Sequence, residues 1–444
     1  MYPDKNSKSA QLYDRALNVL PGGNSRHTVF FPPYPIYAAR GEGAYIWDVD
    51  GVKRTDFTCN WCSLIHGHNH PVIVEALKKQ AETLLSVGLP TENEIRLAEI
   101  LTSRLPGVDR VRFCNSGTEG VLMTLMAARA YTGRSKIAKL EGAYHGSAET
   151  ARISDEPHPE QWGAPLAPNS VAPRGVGPGA AADVLVLPIN ETEAARQLIS
   201  DHGEELAGVI IDPMPSHMGF MPIDDDFLAM LREETEKRGI LLIFDEVYSF
   251  RLGFNGAQGK LGVTPDLTAL GKVIGGGLPV GAIGGKSDIM DDLFDPRSGK
   301  SRLLHGGTFN ANPMTMAAGA AALDLLDEDC FNYISSLGDR LRAGLRGVLK
   351  TLGAPGTVMG ASSMAALAHT DKPFRTYREL VGIMASDQNV MASPGRCFRY
   401  LLNRGVYVAP MGLMLLSSPM THADIDELID RTADALRDLH AQAA

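Results

Sequence analysis

The stretch Gly208–Glu246, GVIIDPMPSHMGFMPIDDDFLAMLREETEKRGILLIFDE, decides the fold. Its ends, Gly208-Val209-Ile210-Ile211 and Leu241-Leu242-Ile243-Phe244, are short unbroken apolar runs, the pattern of strands buried on both faces. Between them, Asp226 to Lys237 reads as a helix. Strand, helix and strand in this order predict a mostly parallel sheet covered by helices.

The alternation continues upstream. Pro71 to Leu85 and Asn93 to Leu105 read as helices, Val111–Cys114 as a strand, and Glu119 to Tyr131 as a helix. Lys136–Leu140 and Val184–Leu187 are further strands, followed by a helix from Glu191 to His202. Nearer the N-terminus, Ala10 to Leu20 is helical until Pro21-Gly22-Gly23, and the alternating run from Ala44 to Phe57 makes a hairpin turning at Asp50-Gly51. Ser154 to Ala182 is rich in Pro, Gly and Ala without periodicity, a long loop of the kind that forms lids or binding loops. Beyond Met314 the pattern changes to long helices with few buried strands, ending in a helix capped by Thr421 with Asp424 at its third position. The expectation is an α/β protein. Residues 66–313 form a large domain, and 314–444 form a smaller α+β domain to which 1–65 contributes.

The chain has 444 residues, 44% hydrophobic and 21% charged, ordinary globular usage that disfavours disorder and fibrous repeats. Its 42 Lys and Arg against 52 Asp and Glu give a net charge of −10, unsuited to nonspecific nucleic-acid binding yet compatible with a local positive pocket for a small anion. No apolar run approaches the roughly 18 to 20 residues that cross a bilayer. Met1-Tyr2-Pro3-Asp4-Lys5-Asn6 has no apolar stretch behind its charges, so no secretory signal is expected. Five cysteines, an odd and sparse set, fit a reducing, cytoplasmic setting. Cys59 and Cys62 form a C-x-x-C, but no second pair completes a zinc site, and the alternating His66, His68 and His70 share no helical face. Structural cysteines and no metal are the expectation.

Three segments carry chemistry. Asn115-Ser116-Gly117-Thr118-Glu119 follows a strand and opens a helix; Gly117 permits a tight turn, and the hydroxyls, free amides and positive dipole end suit an anion. Alone, it reads as an ordinary helix cap. Asp245 ends a buried strand, where open α/β sheets bind ligands, and a carboxylate there calls for a cation such as a protonated heterocyclic nitrogen. Alone, it reads as a cap on the next turn. Leu267–Gly281, LTALGKVIGGGLPVG, is decisive. It places one lysine, Lys272, in an uncharged bed, with seven glycines between Gly271 and Gly285 shaping the backbone for close approach and not for regular structure. Such a lysine loses solvation of its ammonium form and becomes a Schiff-base nucleophile. A flexible surface lysine would explain neither the missing charges nor the glycines. Imine-forming lysine, carboxylate and phosphate cradle are the set that pyridoxal 5′-phosphate requires.

In its motifs the chain resembles the class III pyridoxal-phosphate aminotransferases of fold type I. It is most similar to the branch holding glutamate-1-semialdehyde aminomutase and the β-amino-acid (β-phenylalanine) aminotransferases. The carriers are Pro21-Gly22-Gly23-Asn24-Ser25-Arg26, Gly67-His68-Asn69-His70-Pro71, Asn115–Glu119, Gly142-Ala143-Tyr144-His145-Gly146, Phe244-Asp245-Glu246-Val247, Leu270–Gly277 and Gly306-Gly307-Thr308-Phe309-Asn310, spread from about Tyr13 to the C-terminus. The resemblance implies that Lys272 holds the cofactor as an internal aldimine and shuttles the proton, while Asp245 keeps the ring nitrogen protonated. It implies that Tyr144 stacks on the ring and that Ser116, Gly117 and Thr118 bind the phosphate. Thr308 would reach the phosphate across a subunit boundary, making a homodimer obligatory, and His145 would shape the loop.

For substrate, the resemblance matches Arg26 to a carboxylate-binding arginine and Trp61 to a pocket aromatic. The β-amino-acid enzymes carry a second arginine where this chain reads Val408-Ala409-Pro410-Met411-Gly412, and the aminomutase a glutamate in a longer loop. Met411 replaces the arginine, and the chain lacks both the glutamate and the extra residues of that loop. Asp212 stands where most of the family has glutamate, and His217 where the aminomutase has asparagine. Met411, Met414 and Trp61 suggest an apolar pocket. The expectation is an aminotransferase acting between an amino acid or amine, plausibly a β-amino acid with an apolar or aromatic side chain, and a keto-acid acceptor. Intramolecular transfer of the aminomutase type is the alternative.

Overall fold

Seven strands form the sheet that positions the site: β1 (Arg110–Cys114), β2 (Lys136–Leu140), β3 (Val184–Leu187), β4 (Leu206–Ile211), β5 (Leu241–Asp245), β6 (Leu267–Gly271) and β7 (Gly281–Gly285), in the order β1-β7-β6-β5-β4-β2-β3. All run parallel except β7, which is antiparallel to both β6 and β1. The unbroken apolar runs have the cause expected of them. Val209, Ile211, Leu242 and Phe244 face one buried layer with Phe227 and Leu231 of the helix Asp225–Arg238. Ile210, Leu241 and Ile243 face the other layer, with Val121, Leu125 and Ala128 of the helix Gly117–Thr132. Fully burying side chains of this size contributes about 1.5–3 kcal/mol each, and these central strands collect it on both faces.

This computed structural model describes residues 1–299 and 302–443. The chain divides into two compact units. One comprises Met1–Pro71, Tyr333–Asp371 and Met384–Ala444; the other, which holds the seven-stranded sheet, comprises Val72–Asn332 and Lys372–Ile383. The first unit contains the sheet Ala38–Glu42, Tyr45–Asp48, Lys53–Asp56 and Val406–Tyr407, and a second sheet of Thr357–Met359, Met364–Ala368 and Leu413–Leu415. No helix among the described residues is long and apolar enough to cross a membrane.

The structure departs from the expectations in three places. The glycine-dense segment around Lys272 is not irregular throughout, because β7 is a regular strand of Gly281-Ala282-Ile283-Gly284-Gly285. A Cβ on Gly281 would lie 1.9 Å from the Ser116 carbonyl oxygen, and one on Gly284 would lie 2.7 Å from Val108 Cγ1, so neighbouring backbone and side chains exclude larger residues. Ser154 to Ala182 is folded, with a small hairpin of Gly163–Ala164 and Ala167–Pro168 and a short helix Gly179–Ala182. Arg378 holds it. The half-buried Arg378 guanidinium pairs with the buried Glu141 (Nε to Oε2 2.8 Å, Nη2 to Oε1 2.9 Å) and donates to the carbonyls of Trp162 at 2.6 Å and Gly163 at 3.0 Å. Finally, the region beyond Met314 contains a complete three-stranded sheet, built from runs of three to five residues too short to show a period.

Candidate active site

Within the sheet-bearing unit, the residues singled out from the sequence lie at carboxyl ends of strands. Ser116 follows β1, Tyr144 and His145 follow β2, Asp212 follows β4, Asp245 ends β5 and Lys272 follows β6. Phe244 pairs with Ile211, so the parallel register brings Asp245 and Asp212 to neighbouring strand ends.

The turn after β1 is a reciprocal helix cap. Ser116 Oγ accepts from the Glu119 amide at 3.1 Å, and Glu119 Oε2 accepts from the Asn115 amide at 2.5 Å. The first amides of the helix have no intrahelical acceptor, so this end could receive an anion. A Cβ on Gly117 would lie 2.9 Å from Val247 Cγ1, so the turn sits directly against the residues following Asp245. Thr118 Oγ1 accepts from the Ser147 amide at 3.3 Å, joining this turn to the loop that carries Tyr144 and His145.

Asp245 is held on both oxygens. Oδ1 accepts from the Val247 amide at 3.1 Å, and Oδ2 lies 2.8 Å from Nδ1 of the buried His145. Burial lowers the His145 pKa, opposed by Asp245, so the neutral imidazole donates from Nδ1 and its Nε2 is a buried atom with no hydrogen-bond partner. Burial, together with the Asp245 charge, pushes Asp212 up to about 7. Tyr144 is 38% exposed and stacks on His217, with ring centroids 4.6 Å apart and planes 15° apart.

Lys272 is the first residue of a 3₁₀ turn and takes φ +48°, with Nζ 4.0 Å from the centroid of the buried Tyr248 ring. The glycine bed exists because the helix Pro313–Leu325 presses onto this turn. A Cβ on Gly276 would lie 2.3 Å from the Ala318 carbonyl oxygen, and one on Gly319 would lie 2.3 Å from the Ile274 carbonyl oxygen. Backbone therefore meets backbone behind the lysine, which fixes its stem far better than side-chain packing would.

These residues fit pyridoxal phosphate. A buried carboxylate with a neutral histidine behind it suits a protonated ring nitrogen. The helix start with its two hydroxyls suits a phosphate, a half-exposed phenol suits a ring face, and a rigidly mounted amine suits an aldehyde. Thr308 is exposed, in a segment anchored beside this turn through Asn310, whose Oδ1 accepts from Asn115 Nδ2 at 2.9 Å.

Glu246, next to Asp245, is wholly buried and accepts from the Ala257 amide at 2.7 Å, the Gln258 amide at 3.2 Å and Gln258 Nε2 at 2.9 Å. Burial, opposed by these donors, raises its pKa from 4.5 to about 7. The folded chain thus keeps this proton to higher pH than the unfolded chain. The associated stability is complete below about 4.5 and is lost as pH rises through about 7. Glu246→Gln is expected to flatten the decline of the denaturation midpoint across that window. Parallel urea titrations of both proteins at several pH values check it, and identical slopes count against it.

In the first unit, a cavity of about 310 Å³ is lined by Arg26, Tyr37, Asn60, Trp61, His68 and Tyr407, among others. The structure thus brings Arg26 and Trp61 together. Met411 is apart from this cavity, 52% exposed in the tight turn where the Gly412 amide donates to the Ala409 carbonyl at 2.9 Å. Sequence reading missed Asn60 and Asp56. Cys59, Asn60, Trp61 and Cys62 all occupy left-handed backbone, with φ of 46°, 45°, 53° and 82°. Such a conformation costs L-residues about 1–2 kcal/mol each, and no spacing of residue types announces it. Among the described residues no group of three or more His, Cys, Asp or Glu is gathered as a metal site.

The family model for class III aminotransferases matches residues 29–438. A glutamate-1-semialdehyde 2,1-aminomutase 2 from Halalkalibacterium halodurans is 39% identical over 438 residues, covering 97% of this chain and 98% of the relative. A β-phenylalanine transaminase from Variovorax paradoxus is 37% identical over 429 residues, covering 96% of this chain and 92% of the relative. The crystal structure of an omega-transaminase from Sphaerobacter thermophilus superposes with a TM-score of 0.94 at 45% identity, covering 99% of each chain. With the matched family spanning the sheet, the lysine turn and the acid behind it, the chain belongs to the class III aminotransferases, pyridoxal-phosphate-dependent enzymes of fold type I.

Proposed function

We propose that the enzyme moves the amino group of a β-amino acid with an apolar or aromatic side chain to a keto acid, in ping-pong half-reactions. The observation that carries this reading is the cavity that Arg26 lines together with the aromatic residues Tyr37, Trp61 and Tyr407. A guanidinium fork suits a carboxylate, and the rings suit an apolar substituent. The turn from Ala409 to Gly412 carries Met411 and no charged side chain, unlike the glutamate-bearing loop that the resemblance associates with the aminomutase.

In this reading Lys272 and Asp245 are catalytic. Pyridoxal phosphate, when bound, supplies a ring that accepts the electron pair left when the donor C–H bond breaks. Lys272 takes up that proton at Nζ and delivers it later; its backbone-packed turn keeps the amine on one trajectory. Asp245 would pair with the cofactor's ring nitrogen, and His145 Nδ1–H orients its carboxylate. Ser116, Gly117 and Thr118 would hold the phosphate, Tyr144 would cover one ring face, and Arg26 and Trp61 would contact the donor, whereas the Met411 expected at the substrate lies apart from the cavity they line. In a homodimer Thr308 would complete the phosphate site across the subunit boundary. The apolar exposure around it, 89% for Leu304 and 58% for Phe309, supports a homodimer that covers this segment.

The aminomutase reading is favoured by the relatives of that name. One experiment separates the two. Holoenzyme is given β-phenylalanine with a keto-acid acceptor, and separately glutamate-1-semialdehyde without any acceptor. Acceptor-dependent loss of β-phenylalanine is expected; efficient acceptor-free formation of 5-aminolevulinate would replace this proposal with the mutase.

A further inference from the structure

The left-handed run Cys59–Cys62 is the most unusual backbone in the first unit, and strain of this kind is retained where the surroundings impose it, commonly at ligand sites. Asp56 imposes it. Its buried Oδ1 accepts from the Thr58 amide at 2.8 Å, the Thr58 hydroxyl at 2.7 Å and the Cys59 amide at 3.2 Å. Its Oδ2 lies 2.8 Å from His68 Nε2. The turn buries the Cys59 and Cys62 side chains and presents Asn60 and Trp61 to the cavity that holds Arg26. The C-x-x-C spacing thus places two inward side chains on either side of two outward residues.

The Asn60 carboxamide has one possible orientation. Ser63 Oγ donates its proton to the Asn60 carbonyl at 3.0 Å, so toward the side chain it can only accept, and it takes Asn60 Nδ2–H at 3.0 Å. Oδ1 is left facing Arg26 Nη1, also at 3.0 Å. We infer that Asn60 is a positioning residue for Arg26: it holds the guanidinium by Nη1 and turns the Nε–Nη2 edge toward a donor carboxylate for two-point binding. The inference rests on the proposal that Arg26 receives that carboxylate. Asn suits the place twice over, since it tolerates left-handed backbone and its amide oxygen orients a cation without neutralising it.

The test compares holoenzyme variants on β-phenylalanine and on 1-phenylethylamine, its carboxylate-free analogue, each read as KM when turned over and as an inhibition constant when not. Asn60→Gly keeps the left-handed turn and removes only the amide. It is expected to raise the constant for β-phenylalanine about tenfold, with kcat within about twofold, the amine constant unchanged and the melting temperature preserved. Asn60→Asp, which neutralises the guanidinium, is expected to raise it by about 100-fold. Equal effects on both donors, or none on either, would overturn the inference. Arg26→Ala separates the two levels. If it leaves the β-phenylalanine constant unchanged, the carboxylate reading itself falls; if it raises that constant while Asn60→Gly does not, only the positioning role falls.

Discussion

Lys272→Ala is expected to lower transamination by at least about 10³-fold, the range in which a positioned acid–base group acts, and to abolish the donor-dependent shift of the bound cofactor's violet absorbance. The expectation rests on how the side chain is mounted. Its backbone is in left-handed space at φ +48°, and the turn is pinned by the helix Pro313–Leu325 through Gly276 and Gly319. The nearby buried Lys139 cannot stand in for it, because its Nζ is held by the carbonyls of Ala143, Ala151 and Ile153. Lys272→Arg should be nearly as poor, because a guanidinium stays protonated and cannot act as a base. Small primary amines added to the alanine variant are expected to restore a fraction of the rate, which distinguishes lost proton transfer from a damaged fold. Activity near wild type in Lys272→Ala would remove the basis of the assignment.

Asp245→Asn is expected to cost about 10²–10³-fold in kcat, consistent with the loss of one preorganised charge in a buried site, with a far smaller effect on donor KM. The substitution keeps size and removes charge. The His145 proton at Nδ1 can still meet the amide oxygen, but a protonated ring nitrogen would then face an amide and lose its proton. Asp245→Glu retains the charge and should recover part of the rate, whereas a merely structural role would make the larger side chain the worse of the two. His145→Asn leaves the carboxylate without its buried partner and is expected to fall between wild type and Asp245→Asn. Rates for this series under saturating donor and acceptor decide the order.

The parts of the molecule that were legible in the sequence are those where one physical demand acts locally. Burial on both faces writes Val209 to Ile211 and Leu242 to Phe244 as unbroken apolar runs, and the structure places them in the centre of the sheet. Close approach writes Gly275 to Gly277 around Lys272. β7 was hidden for the same reason the lysine was visible: the space it occupies admits almost no side chains, so a regular strand carries the composition of a loop. Arg378 was illegible because its meaning is non-local. It lies 237 residues beyond Glu141, and nothing near it in the chain hints at the two carbonyls it meets. Asn60 was illegible because its role depends on a backbone conformation and on an amide orientation set by Ser63.

The contacts at Gly276 and Gly319 also bear on how such an enzyme can be re-engineered. Where main chain abuts main chain, randomisation has nothing to sample, since every replacement collides and drags the amine with it. The recess lined by Trp61, Tyr37 and Tyr407 lies away from that main-chain contact, so libraries for new donors belong there, where a change of shape does not displace the amine.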